Sequence, residues 1–388
     1  MDRRSFLVGT AALGVSLAGC SPAGDVLRVR SRRDSVPLQL VDQFRKQFDH
    51  AAIDFKPEDQ LQDLFALLQQ WKRQVEPPPR SPIPGWVPFV GGRDLSAPDL
   101  ATLGDYWLTT AIRQGLIQPL DPSGWDQWQH LPEKWRSLVT RTDQGLFAAT
   151  GQVWGAPYLW GSTVIAYRED IFREQNLEPP TDWADLWRED LKGRISLLDQ
   201  PRETIGLTLK KLGRSYNTPD LSTVDTLNAE LKALHQQAKF YSSDTYMQPL
   251  VLNDTWVAVG WSSDVLSAMR RYSQIKAVFP PSGTALWADL WVRPASRGRS
   301  ETAQNSALSQ WINFCWQPAI APQISLLSRA TSPILTALNP DSFPDALRRN
   351  PVLLPNAKTL LNQSEFLEPL SEPTVEQYRS LWAQTRQG

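Results

Sequence analysis

Apolar and polar positions follow two alternating periods along this chain. Residues 26–30 alternate apolar and charged side chains, which is typical of a strand. Residues 36–48 place apolar side chains three or four positions apart, which predicts an amphipathic helix. The same order returns with a strand at 52–55 and a helix at 61–71. Strands that alternate with helices indicate an α/β fold.

The remainder of the chain continues in this pattern. Further apolar runs predict strands at residues 164–167, 195–198, 256–259 and 290–292. Helical spacing predicts helices at residues 185–189, 205–212, 223–238, 265–271 and 303–316. Proline and glycine crowd residues 76–98, so we expect a long surface loop there.

The first twenty residues have the pattern of a targeting signal. Arg3 and Arg4 precede an apolar run that is too short to span a bilayer, and small residues then lead into Cys20. This order resembles a bacterial lipobox, in which Cys20 becomes the first mature residue and carries acyl chains. The arginine pair also resembles a twin-arginine signal, so both export routes stay open. We expect a chain on the periplasmic side of the membrane, anchored by lipid through Cys20; a plain signal peptide is the alternative.

Composition removes several classes of function. The 40 lysines and arginines balance 41 aspartates and glutamates, so no overall field favours nucleic acid as a partner. Cys315 is the second of two cysteines, so with Cys20 acylated no internal disulfide is expected. The three histidines lack metal-ligand spacing, and we expect neither a metal nor a cofactor. About 365 residues after the signal are typical of two domains.

The most informative segment runs from Val153 to Tyr167. Gly161 and Ser162 would let a ligand approach the backbone, while Tyr158 and Trp160 offer flat aromatic faces. The segment resembles a signature of the periplasmic spermidine/putrescine-binding proteins, in which a Pro-Tyr-x-Trp-Gly-Thr/Ser-Thr run enters the first strand that crosses between two lobes.

Other short segments resemble the same family, in the family's order. They are Asp105-Tyr106-Trp107, Asp199-Gln200-Pro201-Arg202-Glu203, Gly260-Trp261-Ser262-Ser263-Asp264 and Leu286-Trp287-Ala288-Asp289. The resemblance implies an α/β, two-lobed periplasmic-binding-protein fold of type II, with lobes joined by two crossing strands. It assigns residues 1–20 to the signal peptide, 26–163 plus 290–330 to the N-terminal lobe, and 164–289 plus 331–388 to the C-terminal lobe.

The resemblance also implies a ligand-binding site. A polyamine needs carboxylates for its ammonium groups and aromatic walls for its methylenes. The implied carboxylates are Asp289 and Glu203, and the implied aromatic walls are Tyr106, Trp160, Trp261 and Trp287. Four of these residues have a simpler interpretation. Asp289 would be a solvated carboxylate at a strand end, and Glu203 a carboxylate favoured by the dipole at a helix N-terminus. Trp261 and Trp287 would pack at the hinge.

The chain departs from the family where ligands are held. Arg32 and Ser35 stand where the family has aromatic residues, Arg33 adds a second positive charge, and Gln200 replaces a ligand carboxylate. These changes make the cleft more positive. If Arg32 lines the site, a solute that carries both an ammonium and a carboxylate suits it better than a plain polyamine.

We therefore expect the extracytoplasmic solute-binding component of an ABC importer, with no catalytic residues. Its solute would be a polyamine such as spermidine or putrescine, or a related amine. Its partners would be that small-molecule ligand and an ABC permease, and the chain would be a monomer. The alternatives are a lipoprotein enzyme of hydrolase type that uses a carboxylate pair, or a ligand sensor or adhesin on the same fold.

Overall fold

The structure is a computed structural model that describes residues 26–48, 52–75, 97–295, 301–354 and 361–387. Cys20 and the predicted signal lie outside the described residues, as does most of the predicted loop at 76–98. In the described part of the chain, no helix combines the length and the apolar character that crossing a bilayer requires.

The described strands form one large main sheet and a small two-stranded sheet. They are β1 (Leu27–Arg32), β2 (Ile53–Glu58), β3 (Leu100–Gly104), β4 (Ile117–Gln118), β5 (Thr140–Arg141), β6 (Gln152–Val153), β7 (Ala156–Arg168), β8 (Ile195–Leu197), β9 (Ala238–Tyr241), β10 (Val257–Trp261), β11 (Ile275–Val278), β12 (Ala285–Pro294) and β13 (Glu365–Phe366).

Helices lie between these strands along the chain. They are α1 (Leu38–Gln47), α2 (Leu61–Val75), α3 (Leu108–Arg113), α4 (Glu133–Val139), α5 (Glu169–Glu174), α6 (Pro201–Lys211), α7 (Leu227–Gln237), α8 (Met247–Val251), α9 (Ser262–Arg271), α10 (Glu301–Trp316), α11 (Ala321–Ser328), α12 (Asp345–Arg348) and α13 (Glu372–Gln387).

Two local predictions need correction. The first helix begins at Leu38 rather than at residue 36, because Pro37 holds an extended backbone conformation and precedes the first helical turn. The helix predicted at residues 185–189 is wrong: residues Trp183–Trp187 form a short 3-10 turn instead. In that turn, the Asp185 carboxylate accepts from the backbone of Asp182, and Asp182 caps the turn in return.

Strand β7 runs through both halves of the main sheet, whose order is β2-β1-β3-β12-β7-β10-β8-β9. Strand β12 begins at Ala285, which packs in an apolar cluster of the second half. The first half of β7, residues 156–162, pairs with β12. Its second half, from Thr163 onward, pairs with β10 and β11. One continuous strand therefore belongs to the sheet of one lobe at its start and to the sheet of the other lobe at its end.

Side chains of β7 alternate between two apolar clusters, one on each face of the second half of the main sheet. Val164 and Ala166 point into one apolar cluster, with helix α9 beside it. Ile165 and Tyr167 point into another cluster on the opposite face. Since successive side chains of a strand point to opposite faces, an unbroken apolar run fits a strand that is buried on both sides.

Candidate functional site

The candidate site lies where β7 and β12 pass between the lobes. Trp287 stands opposite Gly161 and Asp289 stands opposite Leu159 in the antiparallel pair. Trp261, at the end of β10, stands opposite Thr163. The structure thus brings three of the sequence-predicted residues close together, two on the crossing strand β12 and one on β10 beside β7.

Gly161 allows a close approach of strands at the crossing. A side-chain carbon at this glycine would lie 2.3 Å from Cζ2 of Trp287 and 2.5 Å from the Ser262 hydroxyl oxygen. Such distances are not tolerated between non-bonded atoms, so the Trp287 indole packs directly on the glycine backbone. The buried Trp287 Nε1 has no hydrogen-bond partner among the described residues.

Asp289 forms an ion pair with Arg32 at the end of β1. The Asp289 Oδ2 atom lies 3.1 Å from Arg32 Nε and 3.0 Å from Arg32 Nη2. Asp289 is 1% exposed, and burial raises the pKa of its carboxyl while the nearby Arg32 charge lowers it. Burial lowers the pKa of the Arg32 guanidinium, but the charge and hydrogen bond of Asp289, together with Tyr158 and Asp264, outweigh burial and the net shift is upward. The net shift of the Asp289 pKa is also upward, so the pairing rests on the two short contacts between the side chains.

A buried chain of hydroxyl groups fixes the backbone at Arg32. The Ser35 hydroxyl donates to the Arg32 carbonyl at 2.7 Å, and the Tyr158 hydroxyl donates to Ser35 Oγ at 3.0 Å. Thr102 Oγ1 lies 2.9 Å from the Tyr158 oxygen and completes the chain. Tyr158 itself stacks on Trp291 with ring centroids 4.0 Å apart. Arg32 is thus held against the crossing strands by the core.

Glu203 is the second predicted carboxylate, in the first turn of α6. Its side chain is buried, and the Thr163 hydroxyl donates to Oε2 at 2.9 Å. Burial raises the pKa of the Glu203 carboxyl, against the hydrogen bonds from Thr163 and Trp261 and the charge of Arg202, which lower it. Among the residues that the structure describes, no lysine or arginine forms an ion pair with Glu203. A buried carboxylate that lacks an ion-pair partner is suited to bind a cationic ligand.

Tyr106 faces the same helix from the first lobe. It is 59% exposed and lies edge-on to Trp107, with ring centroids 6.2 Å apart. Burial lowers the pKa of the Arg202 guanidinium, and the Tyr106 hydroxyl is close enough to oppose that shift. Tyr106 therefore lies near the start of α6, where Glu203 is located.

Trp160 does not share this location. It stands opposite Ala288, one residue out of step with Trp287 and Asp289, so it points to the other face of the strand pair. It is 2% exposed and packs against Trp135 in the core of the first lobe. The expectation that Trp160 lines the site is therefore wrong. Tyr158 is likewise buried and supplies its hydroxyl to the positioning of Arg32, not a ring face to the cleft.

Two further carboxylates lie near the crossing, and neither was assigned a role from the sequence. The Ala288 amide donates to Asp105 Oδ1 at 2.9 Å, which ties β12 to the end of β3. Asp264, in the first turn of α9, accepts from the Tyr246 hydroxyl at 2.8 Å and contributes to the raised pKa of Arg32. Asp105 belongs to the motif that contains Tyr106, and Asp264 ends the motif that contains Trp261. The motifs therefore included both residues without indicating their function.

The buried Asp105 predicts a pH-dependent stability. Burial raises the pKa of its carboxyl to about 7, although the Ala288 amide and Arg141 lower it. Between the unfolded-state pKa near 4 and this value, the folded chain binds a proton that the unfolded chain releases, so this contribution to stability is lost as the pH rises through 7. Asp105→Asn should therefore raise the melting temperature by several degrees at pH 8 and by clearly less at pH 5. Thermal unfolding at the two pH values measures this.

The control for this prediction is Asp143→Asn, which changes an exposed carboxylate. That variant should follow the wild-type chain at both pH values. Equal effects of Asp105→Asn at pH 5 and pH 8 would contradict a raised pKa at Asp105.

Comparison with known proteins identifies the family. The family described as bacterial extracellular solute-binding protein matches residues 96–363. The spermidine/putrescine-binding periplasmic protein of Escherichia coli is 26% identical over 93% of this chain and 92% of its own length. The protein of the same name from Salmonella typhimurium is 25% identical over 92% of this chain and 91% of its own length.

Solved structures agree on the fold. The spermidine/putrescine ABC transporter substrate-binding protein PotD of Streptococcus pneumoniae aligns with a TM-score of 0.75 at 21% identity, over 93% of this chain and 98% of that protein. The TpPotD lipoprotein of Treponema pallidum aligns with a TM-score of 0.65 at 18% identity, over 93% of this chain and 99% of that protein. The predicted two-lobed type II fold, the extracytoplasmic location and the role of a binding protein rather than an enzyme are confirmed. The chain belongs to the bacterial extracellular solute-binding protein family.

Proposed function

We propose that this chain captures an amine-bearing solute of the polyamine type, such as spermidine, putrescine or a related amine, for import by an ABC permease. The observation that carries the proposal is Glu203, a buried carboxylate without an ion-pair partner among the described residues. Trp261 contacts Glu203, and Tyr106 lies near the neighbouring Arg202; aromatic rings of this kind suit an alkylammonium group. The names of the relatives support the same class of solute.

The two lobes would capture the solute by closing around it. Glu203 and Trp261 belong to elements that follow the first crossing, whereas Arg32 and Tyr106 precede it. A solute that touches both groups gains its full set of contacts only when the lobes are together, so binding shifts the population toward the closed form. The closed form is then the state that a permease would recognise.

We also propose the lobe boundaries that the family resemblance implies: residues 26–163 plus 290–330, and residues 164–289 plus 331–388. The apolar clusters support this division, because one cluster collects residues up to Trp160 and again from residue 286 onward. The clusters on the two faces of the second half of the main sheet collect residues between Val164 and Ala285 and from Ile334 to Leu353. Ala321 and Phe366 cross the boundary, since Ala321 packs in a cluster of the second lobe and Phe366 packs in the cluster of the first.

The attachment and assembly of the chain are further parts of the proposal. Acylation of Cys20 after removal of the signal would tether the chain to the membrane, and the chain would work as a monomer. Both parts rest on the sequence pattern alone.

A thermal-shift screen of the mature chain tests the class of solute. We expect amine-bearing solutes, including spermidine, putrescine and their amino-acid analogues, to raise the melting temperature of the protein in a concentration-dependent manner. Neutral sugars and inorganic anions serve as controls and should have no effect. If no amine shifts the melting temperature at millimolar concentration, the proposed class of solute is wrong.

A further inference from the structure

We propose that the solute is amphoteric, with an ammonium group held at Glu203 and Trp261 and a carboxylate held at Arg32. The inference rests on the proposed function, namely that the cleft binds an amine. It goes further because it assigns opposite charges to the two ends of the solute.

The first step concerns the charge of Asp289. Arg32 directs both Nε and Nη2 at one oxygen of Asp289, so the pair as a whole carries no net charge. An ammonium group that approaches Asp289 meets the guanidinium as well as the carboxylate. At a separation of about 7 Å and an intermediate dielectric constant, the repulsion from Arg32 makes Asp289 at least tenfold weaker as a cation site than an unpaired carboxylate would be. Asp289 is therefore a poor site for a second ammonium group.

Arg32 is a fixed part of this wall of the site. Its carbonyl is bound by the buried Ser35 hydroxyl, which is bound in turn by Tyr158. Residues 32–35 form a turn in which the Ser35 amide donates to the Arg32 carbonyl. Asp34 within this turn has a positive φ of 61°, so the chain reverses direction here. A solute must therefore accommodate Arg32 where it lies.

The donors at this end of the site call for an acceptor. Among the described residues, Arg32 Nη1 makes only a long contact of 3.5 Å, to the Arg33 carbonyl, which leaves hydrogen-bonding capacity unused. Trp287 points to the same side of β12 as Asp289, and its buried Nε1 has no partner among the described residues. A guanidinium and an indole can only donate, and an ammonium group can only donate as well. A carboxylate accepts from both.

The two ends of the proposed site are carried by positions four residues apart along β7. Asp289 stands opposite Leu159, and Thr163, which bonds Glu203, stands opposite Trp261. Four residues of an extended strand cover about 13 Å, which sets the spacing of the backbone positions that carry the two ends. Side chains reaching inward from both positions shorten the gap that the solute must fill.

Matched pairs of ligands test the assignment. Putrescine and δ-aminovalerate have the same number of methylenes and differ in one terminal group, an ammonium in the first and a carboxylate in the second. Cadaverine and ε-aminocaproate form a second such pair. By calorimetric titration of the wild-type chain, we expect the amino acid of each pair to bind at least tenfold more tightly than the diamine.

Variants at Arg32 separate the charge from the fold. Arg32→Gln releases Asp289 for an ammonium group, so it should reverse the preference within each pair. Arg32→Lys keeps the positive charge and should keep the preference in weaker form. Arg33→Gln is the matched control, since Arg33 is exposed and pairs with Asp59; it should leave the preference unchanged.

The outcomes distinguish this inference from the proposed function. If the diamines bind more tightly to the wild-type chain and Arg32→Gln leaves that order unaltered, the amphoteric assignment is wrong and the amine site stands. If neither member of any pair binds and spermidine does not bind either, both the inference and the proposed class of solute are wrong. The wild-type comparison and Arg32→Lys decide the matter even if Arg32→Gln fails to fold.

Discussion

Asp289→Ala should lower the free energy of unfolding by about 3–5 kcal/mol, the range found when one partner of a buried ion pair is removed. Asp289 is 1% exposed and its Oδ2 atom receives two donors from Arg32, so the substitution leaves a guanidinium held against the core without its counter-charge. Urea unfolding followed by tryptophan fluorescence measures the change, because the free energy falls linearly with denaturant concentration.

Two further variants show that the effect comes from the ion pair. Asp289→Asn keeps the shape and one acceptor oxygen, so it should be less destabilising than Asp289→Ala. The double substitution Arg32→Gln with Asp289→Asn removes both charges and should recover part of the loss, since the two sites interact directly. A loss below 1 kcal/mol in Asp289→Ala, or strictly additive effects in the double variant, would contradict the pairing.

Glu203→Gln should weaken the binding of the amine by at least about thirtyfold, because loss of one member of a buried charged pair costs about 2–5 kcal/mol in binding. The same substitution should stabilise the chain without ligand at pH 8, since burial raises the pKa of the Glu203 carboxyl and so disfavours its ionised form in the folded state. The expected variant is thus more stable than the wild-type chain and unresponsive to the solute. Melting curves with and without a bound amine measure both effects.

Glu189→Gln is the matched control for that variant, because Glu189 is exposed and pairs with Lys192 on the surface of the second lobe. It should retain the full shift in melting temperature with the amine. A Glu203→Gln variant that keeps the wild-type ligand response would show that the ammonium group is held elsewhere.

Much of the fold could be predicted from local patterns. The continuous apolar run that begins at Val164 indicates a strand buried on both faces, and it is one. The predicted helix at 303–316 agrees closely with α10, Glu301–Trp316. The 3-10 turn at Trp183–Trp187 could not be predicted from apolar spacing, because it depends on side-chain capping by Asp182 and Asp185.

The site could be predicted only in part, for reasons of register and distance in sequence. Motif resemblance located Asp289, but not its pairing with Arg32, which is 257 residues away in the chain. The error at Trp160 has the same origin. A strand shows one residue on each face in turn, and the sequence alone does not say which face meets the cleft. The register of β7 against β12 decides that Trp287 and Asp289 share one face while Trp160 takes the other.

Calorimetric titration of the wild-type chain with the amine that gives the largest thermal shift is the most direct test that this protein captures an amine between its lobes. We expect a saturable heat corresponding to one solute per chain and a negative change in heat capacity, since closing the cleft removes aromatic surface from water. The absence of saturable heat for any amine-bearing solute, or weak binding of several amines per chain, would contradict the account.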